Sequence, residues 1–283
     1  VSDALDAWWA GGERRRVGAH RLQVRVAGDG PVLVLLHGFP ASSFEWAALE
    51  APLAEHHTVV TFDFLGYGAS DKPPGHRYSV FEQADLTQRL LADLGLDAVT
   101  LVAYDYGAIV ATELLARRDA RIRRCLFLNA GLFADQYRPR LAQRISLMPV
   151  AGALLARVFN QRLFAKTWAE VFSAEHPLDP EVAALHYRAL RHGDPARDVQ
   201  RRLLRYIPER AAHKDRLQDA VLSTDVPLHF LWGLADPVSG RPIADEIARR
   251  RPGSDLVPYT AGHCPHLEIP QRVVADVLVR AAG

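Results

Sequence analysis

Five continuous apolar runs constrain this chain more than any other feature: residues 32–36, 58–62, 99–103, 125–128 and 228–232. A strand with one wet face alternates apolar and polar residues, whereas an unbroken run such as Val32-Leu33-Val34-Leu35-Leu36 needs cover on both faces. Helical patterns at 42–55, 80–94 and 108–118 separate the first of these runs. Strands alternating with helices give right-handed crossover units and a parallel sheet. Ahead of them, residues 14–26 alternate around Gly18 and read as an antiparallel hairpin at one sheet edge. After 232 a helix at 243–251, a short strand near 256–258 and a last helix from about 270 to 282 complete the pattern.

Between 128 and 228 the alternation stops. Helical patterns there span 140–157, 163–172, 181–191 and 196–206, with breaks at Pro139, Pro149, Pro177, Pro180, Pro195 and Pro208. The expected organisation is a core of residues 1–130 and 224–283, carrying an inserted helical cap at 131–223. In this α/β fold the sheet is mostly parallel and eight-stranded, with helices on both faces.

A chain of 283 residues that is 49% hydrophobic can bury a sizeable core. Its net charge of +1 gives no electrostatic reason for a nucleic-acid or anionic-membrane partner. Charge interrupts residues 1–31 throughout, which argues against a signal sequence or a span and for a cytoplasmic protein. A monomer or homodimer is expected. Only three lysines, Lys72, Lys166 and Lys214, accompany the arginines, as in a chain from a GC-rich bacterial genome. Cys125 and Cys264 lack metal-ligand spacing and fit a reducing compartment; no metal or cofactor is expected.

Residues 101–111, LVAYDYGAIVA, place Asp105 where a strand turns sharply into a helix of small residues. A carboxylate there is already a nucleophile, suited to displacement at saturated carbon, and the resulting ester must then be hydrolysed. Hydrolysis needs a base, most simply a histidine oriented by a carboxylate, following in the order nucleophile, acid, histidine. Asp236, in LWGLADPVS, and His263, in TAGHCPHLEIP, supply that order; His266 is the rival, and Gly262 favours His263 by permitting an exposed turn. The amides of Phe39 and Tyr106 are the expected oxyanion donors. His37 in the same HGFP loop reads as a brace for that loop and belongs to the oxyanion and substrate-binding group with Phe39, Tyr106 and Trp168. DFLGYGASD at 63–71 reads as a structural turn, since no G-K-[ST] follows. Tyr137, Tyr187 and Tyr206 are cap hydroxyls able to protonate a departing alkoxide, and Trp168 is the only cap indole able to hold a departing halide. Phe159, Phe164, Trp168 and Phe172 either line an apolar pocket or form the core of the cap.

The elbow, the HGFP loop and the ordered acid and base resemble the α/β-hydrolases with an aspartate nucleophile, a group of epoxide hydrolases, haloalkane dehalogenases and fluoroacetate dehalogenases. The stretches DFLGYGASDKP, YSVFEQADL, AYDYGAIVATELL, LLRYIPER and VPLHFLWGLADPVS are similar to the branch of the mesoderm-specific transcript protein and its bacterial relatives. Haloalkane dehalogenases typically carry Asn and Trp at the positions of Phe39 and Tyr106, and fluoroacetate dehalogenases carry arginines just after the nucleophile, where Tyr106 and Ile109 stand. Tyr206 stands 30 residues before Asp236, as the ring-opening tyrosine does in epoxide hydrolases. The second cap donor of that group corresponds to residues 150–153, where Val150-Ala151-Gly152-Ala153 offers no hydroxyl. The resemblance therefore implies opening of a small apolar epoxide or related alkylating substrate by water, with dehalogenation or an idle binding fold as alternatives.

Overall fold

A computed structural model describes residues 3–136, 141–194 and 197–282. Eight strands form one sheet: β1 (Glu13–Val17), β2 (His20–Ala27), β3 (Val32–Leu36), β4 (Thr58–Phe62), β5 (Val99–Tyr104), β6 (Ile122–Leu128), β7 (Leu228–Gly233) and β8 (Asp255–Tyr259). Their spatial order is β1-β2-β4-β3-β5-β6-β7-β8. Only β2 runs antiparallel to its neighbours, so the hairpin forms one edge and the five apolar runs form the middle, as the patterning requires.

The alternation of side chains along each central strand divides the core in two. Val34, Leu36, Leu101, Ala103, Phe127, Phe230 and Trp232 face helices Val80–Asp93, Asp105–Ala116 and Arg241–Arg250. Leu33, Leu35, Val102, Tyr104, Leu126, Leu128 and Leu231 face helices Ala47–Ala54 and Pro270–Ala281. Residues of the central strands are buried almost without exception, which is why their runs show no polar alternation.

Among the described residues, seven helices lie between β6 and β7: Leu141–Leu147, Pro149–Val158, Gln161–Ala169, Pro180–Arg191, Val199–Leu203, Tyr206–Ala212 and Lys214–Ser223. Two of the expected helices differ. The 140–157 helix breaks at Met148, because Pro149 is tolerated as the first residue of a new helix but not in the middle of an old one. The 196–206 helix ends at Leu203, and Tyr206 instead begins the next one, with Pro208 in its first turn where no intrahelical donor is required. A short helix, Ala4–Ala10, is an element that the sequence reading did not contain; Asp3 caps it, and Arg188 of helix Pro180–Arg191 bonds Asp3 and Asp6.

The strand-to-helix turn after β5 depends on Gly107. A Cβ there would stand 2.3 Å from the backbone oxygen of Leu36 on β3, so only glycine lets the helix start that close to the sheet. We expect Gly107→Ala to lower unfolding free energy by about 1–3 kcal/mol, as overpacking does. Urea unfolding followed by far-ultraviolet circular dichroism measures this, and an unchanged midpoint would show that the turn yields freely.

Candidate functional site

β5 passes directly into helix Asp105–Ala116, and Asp105 occupies the left-handed region at φ +42°. That conformation projects its side chain above the end of the sheet. The Phe39 amide donates to Asp105 Oδ2 at 2.9 Å, and the Tyr106 amide also bonds the carboxylate. Burial pushes the Asp105 carboxyl up, while His263 and these two amides favour its ionised form.

His263 links two carboxylates. Its Nδ1 stands 2.7 Å from Asp236 Oδ2, and its Nε2 stands 3.8 Å from Asp105 Oδ1. Burial alone would lower the imidazole, but the charges of Asp236 and Asp105 outweigh it and raise its pKa to about 9. Asp236 itself is buried, and that would push it up. The hydrogen bonds it accepts from His263, Ser239 Oγ at 2.6 Å, Asn129 Nδ2 at 2.9 Å and the Val238 amide at 2.6 Å hold it low instead. The Val238 bond makes the turn that the Asp-Pro sequence suggests, on the oxygen that the histidine does not use.

His263 does not stand on an exposed turn. It is 7% exposed, and its amide donates to Val171 O at 2.8 Å. Gly262 is needed for close approach, since a Cβ there would come within 2.4 Å of the same oxygen. His266 is buried between Trp46 and Tyr104 and lies outside the cavity, so the histidine brought to Asp105 is His263.

Beside these groups lies a cavity of about 440 Å³. Asp105, His263, Phe39, Tyr206 and Trp168 all line it, with Phe159, Phe164 and Val171 among its apolar walls. Phe172 packs on Trp168 outside the lining. The Tyr206 ring packs on Phe39 at 6.0 Å and on Tyr106 at 5.1 Å, against the two residues whose amides hold Asp105. Tyr106 turns its own hydroxyl away to Gln83 and offers the cavity side only its backbone.

Two expectations require correction. His37 does not reach the substrate space: it is fully buried, its Nε2 accepts from the Phe64 amide at 3.0 Å and its Nδ1 bonds Gly38 O at 2.9 Å. Both ring nitrogens are thus spent on bracing the loop. Tyr187 does not supply a second cavity hydroxyl, because it donates to Phe159 O at 3.3 Å and lies outside the lining. Tyr137 lies outside the described residues.

The 63–71 segment is the structural turn its sequence indicates. Asp63 accepts from the amides of Ser43 and Ala69, and a Cβ on Gly68 would collide with that carboxylate.

Three supporting residues escaped sequence reasoning. Asn129, just past β6, bonds Asp236, exchanges two bonds with the Gly233 backbone, and accepts the Asp105 amide on its carbonyl at 3.1 Å. Ser239 steadies Asp236. Glu45 is buried beneath the loop and accepts from the Gly38 amide at 2.7 Å; burial raises its pKa to about 8. A charged residue set between Phe44 and Trp46 was the available signal for Glu45.

Residues 31–270 match the alpha/beta hydrolase fold family. LipZ of Mycobacterium tuberculosis, which carries a hydrolase name, is 35% identical over 278 residues, with 96% of each chain covered. The mesoderm-specific transcript protein of Mus musculus is 35% identical over 290 residues, covering 95% of this chain and 85% of its own. Among solved structures, the haloalkane dehalogenase DbeA from Bradyrhizobium elkani superposes with a TM-score of 0.82 at 25% identity, over 96% of this chain and 97% of its own. No helix among the described residues is long and apolar enough to cross a membrane. With its central parallel sheet, its strand-to-helix elbow and a family match over most of its length, the chain belongs to the α/β-hydrolase fold family.

Proposed function

We propose that this protein opens an apolar epoxide to a diol through a covalent ester on Asp105. The observation that carries the reading is a carboxylate at the elbow, 3.8 Å from the Nε2 of a histidine whose other nitrogen bonds a buried carboxylate. An Oδ of Asp105 attacks an epoxide carbon, the ring C–O bond breaks, and Tyr206 donates its proton to the departing oxygen. His263 Nε2, oriented by Asp236, then takes a proton from water, and the hydroxide adds to the Asp105 carboxyl carbon. The Phe39 and Tyr106 amides stabilise the oxyanion. Collapse expels the diol oxygen, which His263 protonates, and the proton left on Asp105 returns to Tyr206. The helices of 131–223 act as the cap over this site, and their apolar side chains select an apolar substrate.

A second reading, hydrolytic dehalogenation, draws support from Trp168, whose indole lines the same cavity, and from the likeness to DbeA. Phe39 and Tyr106 weigh against it, since neither side chain offers the halide a donor in the cavity.

Single-turnover hydrolysis in oxygen-18 water should place label in the Asp105 peptide, read by mass spectrometry; unlabelled Asp105 would rule out the ester. His263→Gln should accumulate an alkyl adduct on Asp105 with a reactive epoxide, and no mass increase across a varied panel would favour an idle binding fold. Tyr206→Phe should slow epoxide alkylation by roughly 100-fold or more, the usual worth of a general acid. If Tyr206→Phe spares turnover and short haloalkanes release halide, the dehalogenase reading replaces this one.

The raised pKa of His263 gives a pH signature. Below about 9 the free-enzyme imidazole is protonated and cannot take a proton from water. Ester formation cancels the Asp105 charge, one of the charges that raise it, so the base emerges in the intermediate. Rapid-quench measurements from pH 6 to 10 should show ester hydrolysis rising with pH through a midpoint below about 9. A midpoint above that value would mean that Asp105 does not carry the ester.

A further inference from the structure

Far from the elbow chemistry in sequence, three potential ligand groups meet from three different elements. His20 begins β2 at the edge hairpin, His76 lies in the loop between β4 and helix Val80–Asp93, and Glu82 lies in the first turn of that helix. One ligand atom from each falls within 4.8 Å of the other two. We propose that His20, His76 and Glu82 bind a divalent transition-metal ion, zinc being the best match.

Two imidazoles and one carboxylate form a borderline-soft nitrogen and oxygen set that suits zinc and neighbouring first-row ions and suits calcium or magnesium poorly. The His76 Nε2 lies 2.8 and 3.0 Å from the two Glu82 oxygens, so these two groups already converge. An ordinary ion pair would account for them. His20 joins them from the sheet edge: its Nε2 stands 3.9 Å from Glu82 Oε1, within ion-pair range but too far for a hydrogen bond, and its ring meets that of His76 edge-on at 5.5 Å. Ligand atoms around tetrahedral zinc stand roughly 3.3 Å apart, given bonds near 2.0–2.1 Å. Side-chain rotations that spread His76 from Glu82 and close the widest gap, at most 4.8 Å, by up to about 1.5 Å satisfy that geometry. The side chains are 19%, 23% and 28% exposed, which leaves room for water in a remaining coordination position.

Such an ion would tie the sheet edge to the loop on which the inserted helices rest. Arg202 Nη1 reaches the carbonyls of Pro73 and His76 at 3.4 Å, and Glu209 accepts from Ser79 Oγ and the Val80 amide at 2.7 Å each. Glu209 belongs to the helix that carries Tyr206. The ion therefore braces the seat of that helix, and its binding stabilises the folded chain by mass action, whatever the substrate.

The test is calorimetric titration of chelator-treated full-length protein with zinc chloride, paired with melting curves. One ion should bind per chain and raise the melting temperature. His20→Gln, His76→Gln and Glu82→Gln should each weaken binding at least tenfold and remove the thermal shift, while His56→Gln, at an exposed histidine elsewhere, should leave both intact. Melting curves without metal report whether each variant folds. Wild-type protein titrated with cobalt(II) chloride gives a reading independent of any variant: visible bands of nitrogen-ligated cobalt should appear. Absence of binding and of those bands, or binding that survives loss of both His20 and His76, overturns the proposal.

Discussion

The backbone of Asp105 is the constraint on which the site depends. A non-glycine residue at φ +42° costs on the order of 1–3 kcal/mol and persists only where its surroundings over-determine it. Here they do so from both sides of the peptide. The Asp105 amide is held by Asn129 O, the carboxylate by the Phe39 amide, and the helix that follows rests on β3 through Gly107. Glycine at 105 would relieve the strain and remove the carboxylate that His263 and the Phe39 amide face. The cost is thus borne by three neighbouring strand ends, those of β3, β5 and β6, and the sheet order that makes them adjacent is part of the chemistry.

Three carboxyl groups are buried around one imidazole, and they do not carry equal charge. Asp236 receives enough donors to remain ionised in the interior, whereas Glu45 has one oxygen without a hydrogen bond, facing His266 Nε2 at 3.7 Å, and burial holds it near 8, largely neutral at pH 7. The Asp236 and Asp105 charges then share the His263 cation. Under the proposed mechanism, esterification removes one of these charges, so the histidine releases its proton more readily in the state that needs a base. The charge balance switches the function of His263 between steps without any movement of the chain.

The central strands were legible because burial on both faces writes an unbroken apolar run, and that signal is local. Asp105, Asp236 and His263 were legible because each follows a strand, in an order that restricts the partners. The inserted helices were less so. Their breaks depend on whether a proline falls in a first turn or an interior, and Pro149 and Pro208 look alike in sequence to a proline that ends a helix. Asn129 is a single polar residue whose partner lies on another loop, as does that of His20, so no spacing along the chain announces either, whereas Ser239 stands only three residues beyond Asp236 in the same loop and its bond is set by the local turn. His37 was legible as a brace and misleading as a site residue, since burial of both its nitrogens is a tertiary fact.

The inserted helices are attached at points that leave the cavity wall mostly apolar, with Gln143, Thr167, Glu170, Gln200 and Arg201 also in its lining. Arg210 bonds Gly131 O, Glu209 holds the start of helix Val80–Asp93, and Arg188 grips the amino-terminal helix. These polar bonds fix the segment to the sheet domain away from the cavity, while Phe159, Phe164 and Trp168 face it. Under the proposed mechanism, a mostly apolar wall withholds water from Asp105, which raises the energy of its anion and makes it the better nucleophile toward a neutral substrate. In that mechanism it would also deprive the departing alkoxide of water donors, so one positioned proton would have to replace them. Tyr206, held against Phe39 and Tyr106, is the cavity phenol that answers that need. On that reading, apolar selectivity and dependence on a single acid are two consequences of the same wall.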